Sequence, residues 1–266
     1  MDVVCNDCSF HVGLQGEGTP LLLVHGFPLD HTMWAAQMEF FAQTHLVITP
    51  DLRGFGKSAD SSEIVTMRQF ADDLAAMLDT LSIHEPIALC GLSMGGYIGL
   101  QFARHYQDRL DRLILLDTRS AADDELIAGA RRQMANTVLA DGMSSVPGAM
   151  IPKLLSPATR HNCPEVVETL TEMILRQFPA AVAAAQRGMA ERPSSDDLLS
   201  QIDLPTLVLC GQHDSITPVA EMLSMAERIP HAEFAVIENA GHMTPMENPN
   251  AVNQHLAAFL EPASVK

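Results

Sequence analysis

The chain has 266 residues, of which 47% are apolar, and its formal net charge at pH 7 is −17. This apolar fraction supports a large buried core and excludes an intrinsically disordered chain, while the length allows one or two domains. An acidic surface repels phosphate backbones and anionic lipids, so we expect neither a nucleic-acid nor a membrane partner.

The first residues carry no recognisable targeting segment. Residues 1–8 include acidic side chains and no long apolar run, and no run of 18 uninterrupted apolar residues occurs anywhere. Cys5, Cys8 and His11 have the spacing C-x2-C-x2-H, but a fourth ligand is missing, so we predict no metal site. The cysteines are odd in number and scattered, which favours reduced thiols and a cytoplasmic protein.

Six short apolar runs alternate with longer segments of helical periodicity. The runs lie at 20–24, 45–49, 87–90, 113–116, 206–210 and 234–237. Continuous apolar runs are typical of strands buried on both faces, so this alternation predicts an α/β fold with a doubly wound, mostly parallel sheet. One more strand is predicted at 9–14. Helices are predicted near 31–42, 67–81, 95–106, 217–229 and 248–260.

The interval 119–203 contains no strand-like run, and it is too long to be a loop. Helical patterns recur within it at about 124–140, 165–177 and 179–190, and prolines separate them. We therefore predict a helical insertion of residues 119–203 in a core made of residues 1–118 and 204–266. Because ligands of open α/β sheets bind at the carboxyl ends of the strands, the insertion is expected to form a lid over the site.

A G-x-S-x-G sequence at residues 91–95 follows a predicted strand and precedes a predicted helix. In this context the pattern is typical of the nucleophile elbow, where glycines relieve crowding around a serine in a tight turn. Ser93 is therefore the predicted nucleophile. The alternative, a phosphate-binding turn at a helix N-terminus, is disfavoured because no lysine follows and the spacing is not G-x-G-x-x-G.

A serine hydroxyl needs a base that is oriented by an acid. His242 is the best candidate for the base because it follows the last predicted strand, and His25 is the next to test. Asp214 follows the strand before His242 and is the predicted acid, whereas Asp117, after an earlier strand, is its rival. The chain order of Ser93, Asp214 and His242 favours Asp214.

The developing oxyanion needs fixed donors, which the backbone N–H groups of Phe27 and Met94 are expected to supply. An ordinary tight turn is the alternative for the loop that contains Phe27. Trp34 is a candidate for the substrate pocket. Arg119 is a second candidate for the pocket, because its guanidinium could bind a substrate carboxylate. The alternative for Arg119 is a surface or hinge role at the start of the insertion.

Taken in order, these motifs resemble those of α/β-hydrolase fold enzymes along nearly the whole chain. The matching segments are 25–28, 51–58, the Ser93 elbow, 211–214 with Pro218, and 241–242 with Glu247 and Pro249. Within this fold the chain is similar to small carboxylesterases and to the 3-oxoadipate enol-lactonase group, through residues 31–34 and 94–96. The resemblance implies a Ser-His-Asp triad, and it implies no metal or organic cofactor.

The predicted function is hydrolysis of a small-molecule carboxylic ester or lactone through an acyl-enzyme on Ser93. Serine at the elbow argues against the haloalkane dehalogenases and epoxide hydrolases of this fold, which use aspartate. A C–C bond hydrolase, an acyltransferase and a perhydrolase on the same triad are alternatives, as is a small-molecule receptor without turnover. The acyl and alcohol preference does not follow from the sequence, and a homo-oligomer stays open.

Overall fold

A single sheet of eight strands forms the centre of the molecule, and helices cover both of its faces. This computed structural model describes residues 1–59 and 62–261. In chain order, the strands are β1 (Asp2–Cys5), β2 (Cys8–Gln15), β3 (Thr19–Val24), β4 (His45–Pro50), β5 (Ile87–Leu92), β6 (Leu110–Leu116), β7 (Thr206–Gly211) and β8 (Ala232–Ile237).

The helices alternate with the strands of the parallel part of the sheet. The α-helices of the described residues are α1 (Ala35–Phe41), α2 (Met67–Thr80), α3 (Met94–Tyr106), α4 (Glu125–Asp141), α5 (Val146–Leu154), α6 (Pro157–Asn162), α7 (Pro164–Leu175), α8 (Pro179–Ala190), α9 (Val219–Ala226), α10 (Thr244–Glu247) and α11 (Pro249–Leu260). Short 3₁₀ helices lie at His31–Trp34, Gln107–Arg109 and Leu199–Gln201. None of the helices in 1–59 and 62–261 has the length and apolar character needed to cross a membrane.

The strand order across the sheet is β1-β2-β4-β3-β5-β6-β7-β8. Strands β1, β2 and β4 pair antiparallel, and the pairs from β4 to β8 are parallel. Every residue of β5 and β7 is buried, as expected for central parallel strands with helices on both faces. The predicted α/β fold with a doubly wound, mostly parallel sheet is confirmed.

The N-terminal hairpin was only half predicted, since strand β1 was not expected. Its two-residue turn consists of Asn6 and Asp7, both with positive φ, which is the backbone that a tight hairpin between twisted strands requires. Cys5 and Cys8 lie opposite each other across this turn, and Nδ1 of His11 lies 3.1 Å from the Asp2 carboxylate.

Helices α4–α8 fill the chain between β6 and β7, and we call them the inserted helices. Helix α4 packs against α8, and α7 packs against α5 and α6. Helices α5 and α6 were not predicted, because prolines in this region were interpreted as breaks between helices. Pro157, Pro164 and Pro179 instead occupy the first positions of α6, α7 and α8, where the missing N–H is not needed for a helical hydrogen bond.

The loops that carry the predicted site residues leave the sheet at the carboxyl ends of parallel strands. Phe27 follows β3, Ser93 follows β5, Asp214 follows β7 and His242 follows β8. In a parallel sheet these ends share one edge, so the topology gathers four distant segments at one place.

Candidate active site

Ser93 lies between β5 and α3 in a backbone conformation that side chains rarely adopt, with φ 53° and ψ −110°. A residue in such a conformation raises the free energy of the folded state by on the order of 1–3 kcal/mol, and it persists only where the surrounding structure holds it there. The surroundings here are close. A Cβ on Gly91 would lie 2.2 Å from the carbonyl oxygen of Gly95, and a Cβ on Gly95 would lie 2.3 Å from that of Val24. Both glycines are therefore required, and the turn leaves the Ser93 side chain partly exposed.

Ser93, His242 and Asp214 form one chain of hydrogen bonds. The Oγ of Ser93 lies 2.8 Å from Nε2 of His242, and Nδ1 of His242 lies 2.7 Å from Oδ2 of Asp214. When Nδ1 carries the ring proton and donates a hydrogen bond to the carboxylate, Nε2 is unprotonated and can accept the serine proton. The imidazole is buried, which keeps this arrangement away from bulk water.

The Asp214 carboxylate is held by three donors besides the histidine. Oδ1 accepts hydrogen bonds from the N–H groups of Ile216 and Thr217, at 2.7 and 3.0 Å, and Oδ2 accepts one from the Thr217 hydroxyl at 2.5 Å. Burial opposes ionisation, but His242 and the Thr217 donors outweigh it and hold the pKa of Asp214 below its ordinary value. The carboxylate is therefore ionised at neutral pH.

Asp117, the rival acid, contacts other groups. Its Oδ1 accepts the N–H of Gly211 at 2.7 Å, and its Oδ2 is hydrogen-bonded to the Thr244 hydroxyl. Burial, and after it the negative charge of Asp214, raise the pKa of Asp117 well above its ordinary value. Two buried carboxyl groups this close do not both ionise readily, and Asp214, which has His242 and three further donors beside it, is the one whose charge is stabilised.

The loop after β3 lies against the elbow. A Cβ on Gly26 would come within 3.2 Å of the Leu92 side chain, and one on Gly95 would lie 3.1 Å from the carbonyl oxygen of His25. Within the described residues, the backbone N–H groups of Phe27 and Met94 donate to no acceptor. Free backbone donors in the elbow and in the loop that packs against it are what an oxyanion requires.

His25, the second histidine considered as a base, is fully buried, and both of its ring nitrogens have partners. Nδ1 lies 2.9 Å from the carbonyl oxygen of Gly26, and Nε2 accepts the N–H of Leu52 at 3.0 Å. Burial lowers the pKa of His25, so the ring is neutral. It therefore ties the loop after β3 to the end of β4 and does not contact Ser93.

Trp34 and Arg119, the two predicted pocket residues, lie in different surroundings. Trp34 is completely buried, and its indole Nε1 has no hydrogen-bond partner in residues 1–59 and 62–261. Arg119 donates to the carbonyl oxygen of Ile216, and its Nε lies 3.2 Å from the Glu221 carboxylate. The guanidinium thus joins the start of the insertion to the loop of the predicted acid. These contacts favour the hinge alternative, since the Glu221 carboxylate already lies beside the charge of Arg119.

Two contacts that the sequence did not predict hold the inserted helices against the site. Arg176, just after α7, pairs with Asp30 through both Nε and Nη2, at 2.7 and 2.8 Å. Burial opposes ionisation of Asp30, but the Arg176 guanidinium and the Thr32 donors hold its pKa well below the ordinary value. On the other side, the Glu247 carboxylate bonds both to the His242 loop and to the segment that begins α6. No pattern marked Asp30 and Arg176 in advance, and the family pattern that includes Glu247 does not indicate its contact with the insertion.

Comparisons with known proteins agree with this architecture. The model of the alpha/beta hydrolase fold family matches residues 19–249. The chain is 28% identical over 263 residues to 3-oxoadipate enol-lactonase 2 of Acinetobacter baylyi, covering 98% of this chain and 94% of that protein. A thermophilic esterase of Thermogutta terrifontis, with malate bound, is similar with a TM-score of 0.95 and 46% identity, covering 98% of this chain and 97% of the other. The enol-lactonase of Burkholderia xenovorans shares the fold, with a TM-score of 0.92, 24% identity and coverages of 98% and 100%.

Proposed function

This chain belongs to the alpha/beta hydrolase fold family, and from this premise we propose that it is a serine hydrolase of carboxylic esters or lactones. The observation that carries the proposal is the 2.8 Å contact between Ser93 Oγ and His242 Nε2. A hydroxyl that is hydrogen-bonded to a neutral, oriented imidazole is an activated nucleophile. The esterase and enol-lactonase among the similar proteins support the substrate class.

In the proposed mechanism, Ser93 Oγ attacks the substrate carbonyl while its proton passes to His242 Nε2. The carboxylate of Asp214 stabilises the resulting imidazolium, and the N–H groups of Phe27 and Met94 bind the oxyanion. His242 then protonates the leaving alcohol, which leaves an acyl group on Ser93. A water molecule, deprotonated by His242, attacks the acyl group and releases the acid. Only protein groups and water take part.

We further infer that residues 119–203 form a lid over a core of residues 1–118 and 204–266. The inserted helices leave the sheet after β6, which is the strand between those that precede Ser93 and Asp214. Their contacts with Glu247 and Asp30 support a position above the site. A cover of this kind excludes water from the acyl-transfer step and strengthens the electrostatic interactions beneath it.

The decisive experiment is a hydrolysis panel of p-nitrophenyl esters of rising acyl length together with several lactones, measured on wild type and Ser93→Ala. We expect turnover of at least one member by wild type and covalent labelling of Ser93 by a fluorophosphonate. Products that lack a free acid from the ester would indicate acyl transfer to another acceptor, and turnover near one per molecule on every substrate would indicate a receptor. Labelling of another residue would contradict the proposed nucleophile.

A further inference from the structure

The carboxylate of Glu247, the last residue of α10, divides its two oxygens between two parts of the chain. Oε1 accepts the N–H groups of Gly241 and Met243, at 2.8 and 3.2 Å, which are the residues on either side of the proposed base. Oε2 accepts the N–H of Ser156 at 2.8 Å and the Thr159 hydroxyl at 2.7 Å, both from the inserted segment. A single side chain thus joins the loop of the base to the insertion.

The fit between these two segments is close. A Cβ on Gly241 would lie 2.6 Å from the backbone nitrogen of Ser156 and 3.1 Å from Oε1 of Glu247, so only glycine allows this approach. The N–H of His242 also donates to the carbonyl oxygen of Leu154, at 2.9 Å. The loop of the base therefore has its backbone donors satisfied by the insertion and by Glu247.

We propose that Glu247 is a positioning residue that couples the placement of His242 to the inserted helices. The inference rests on the proposed function, because it assigns His242 as the base. Four donors converge on Glu247, and an ionised carboxylate can accept all of them, whereas an amide has one acceptor oxygen and turns its NH₂ group toward donors. Loss of the carboxylate therefore loosens either the loop or the insertion. A displacement of about 1 Å at a catalytic group can reduce the rate about 10²-fold.

The test combines Glu247→Gln, Thr159→Val and the double variant. Thr159→Val removes the hydroxyl donor to Oε2, which also lies 2.9 Å from the Ser156 hydroxyl, with little change of shape, and it replaces no residue of the loop of the base. We expect Glu247→Gln to lower kcat by about 10²-fold with KM changed less than about threefold, and Thr159→Val to lower kcat by about tenfold. The double variant should be no slower than Glu247→Gln, since both changes break the same link. The matched control is Glu233→Gln in β8, whose exposed side chain makes no hydrogen bond or ion pair within residues 1–59 and 62–261, and it should leave kcat unchanged.

Amide hydrogen exchange supplies a readout that does not depend on catalysis. In Thr159→Val, exchange should become faster in peptides that cover 240–243 as well as in those that cover 156–162. Faster exchange confined to the insertion, or kcat losses that multiply in the double variant, would overturn the coupling. If wild type hydrolyses no ester or lactone, the proposed function fails, and the exchange experiment alone decides whether Glu247 links the two segments. Thr159→Val carries the test if Glu247→Gln does not fold.

Discussion

Replacing Asp117 by asparagine tests which of two buried carboxyl groups carries the negative charge beside the base. Asp117 is fully buried and hydrogen-bonded to the Gly211 N–H and the Thr244 hydroxyl. Asparagine has nearly the shape of a protonated aspartic acid, so its oxygen can accept from Gly211 while its NH₂ donates to Thr244. We therefore expect Asp117→Asn to keep kcat/KM within a few-fold of wild type. Asp214→Asn should lose about 10⁴-fold, because asparagine favours the wrong imidazole tautomer.

The stability of Asp117→Asn should depend on pH in a defined direction. An unfolded aspartate has a pKa of about 3.9, and burial together with the charge of Asp214 raises the pKa of Asp117 in the folded protein. A folded-state pKa above the unfolded one contributes stability that is complete below about pH 3.9 and is lost as the pH rises toward the folded-state pKa. Within that window the loss is at most about 1.4 kcal/mol for each pH unit. Asparagine does not titrate, so the variant gains on wild type by this amount.

The difference in free energy of unfolding between the two proteins can be measured by urea unfolding between pH 5 and 8. The fluorescence of the single tryptophan, Trp34, follows the transition. The control is Asp141→Asn, an exposed position at the end of α4, where neither activity nor stability should change with the substitution. A stability difference that is the same at every pH would refute a neutral Asp117. An Asp117→Asn enzyme as inactive as Asp214→Asn would assign the catalytic acid to the earlier strand.

Three further substitutions test the site and its surroundings. Ser93→Ala should lower kcat by about 10⁴ to 10⁶ without a change in melting temperature, and substantial residual activity would contradict the nucleophile. His242→Ala should abolish turnover, because it removes the group that accepts the serine proton, and an active variant would argue against this base. Arg176→Ala removes the cation paired with Asp30 and should lower the free energy of unfolding by about 1 kcal/mol at pH 7, since the guanidinium is partly exposed. Because Arg176 depresses the pKa of Asp30 in the folded state, this difference should shrink only as the pH falls from the pKa of Asp30 in the variant towards its lower pKa in wild type, and a difference that grows on acidification would contradict the ion pair.

The sheet could be predicted because its signals are local. The apolar residues of runs such as 87–90 and 206–210 already indicate buried strands, and both runs form strands in which every residue is buried. The elbow is equally local, since Gly91 and Gly95 are required by contacts within the turn and with the neighbouring strand. The three positions of the predicted triad were chosen from chain order and strand ends, and the structure brings their side chains within hydrogen-bond distance.

What could not be predicted depends on contacts between distant segments. Arg119 was considered for a substrate carboxylate, but Glu221, about a hundred residues later in the chain, already pairs with it. The raised pKa of Asp117 follows from the burial of the group and from the charge of nearby Asp214, neither of which can be deduced from residue type. Glu247 matched the family pattern, but its link to the insertion depends on how Ser156 approaches the loop. Such pairings arise from packing, and residue type alone does not indicate them.

The order of the strands explains why the insertion, which follows β6, contacts the loop of His242. Strands β5, β6, β7 and β8 are neighbours in that order, and Ser93, the insertion, Asp214 and His242 follow them one by one. Neighbouring strands lie about 4.8 Å apart, so the insertion must extend over a distance of roughly two strands, past the loop of Asp214, to reach the loop of His242. The hydrogen bonds from His242 to Leu154 and from Ser156 to Glu247 show that it does so. A rearrangement of the inserted helices that breaks these bonds would therefore remove backbone support from the loop of His242, which is the physical basis of the coupling proposed for Glu247.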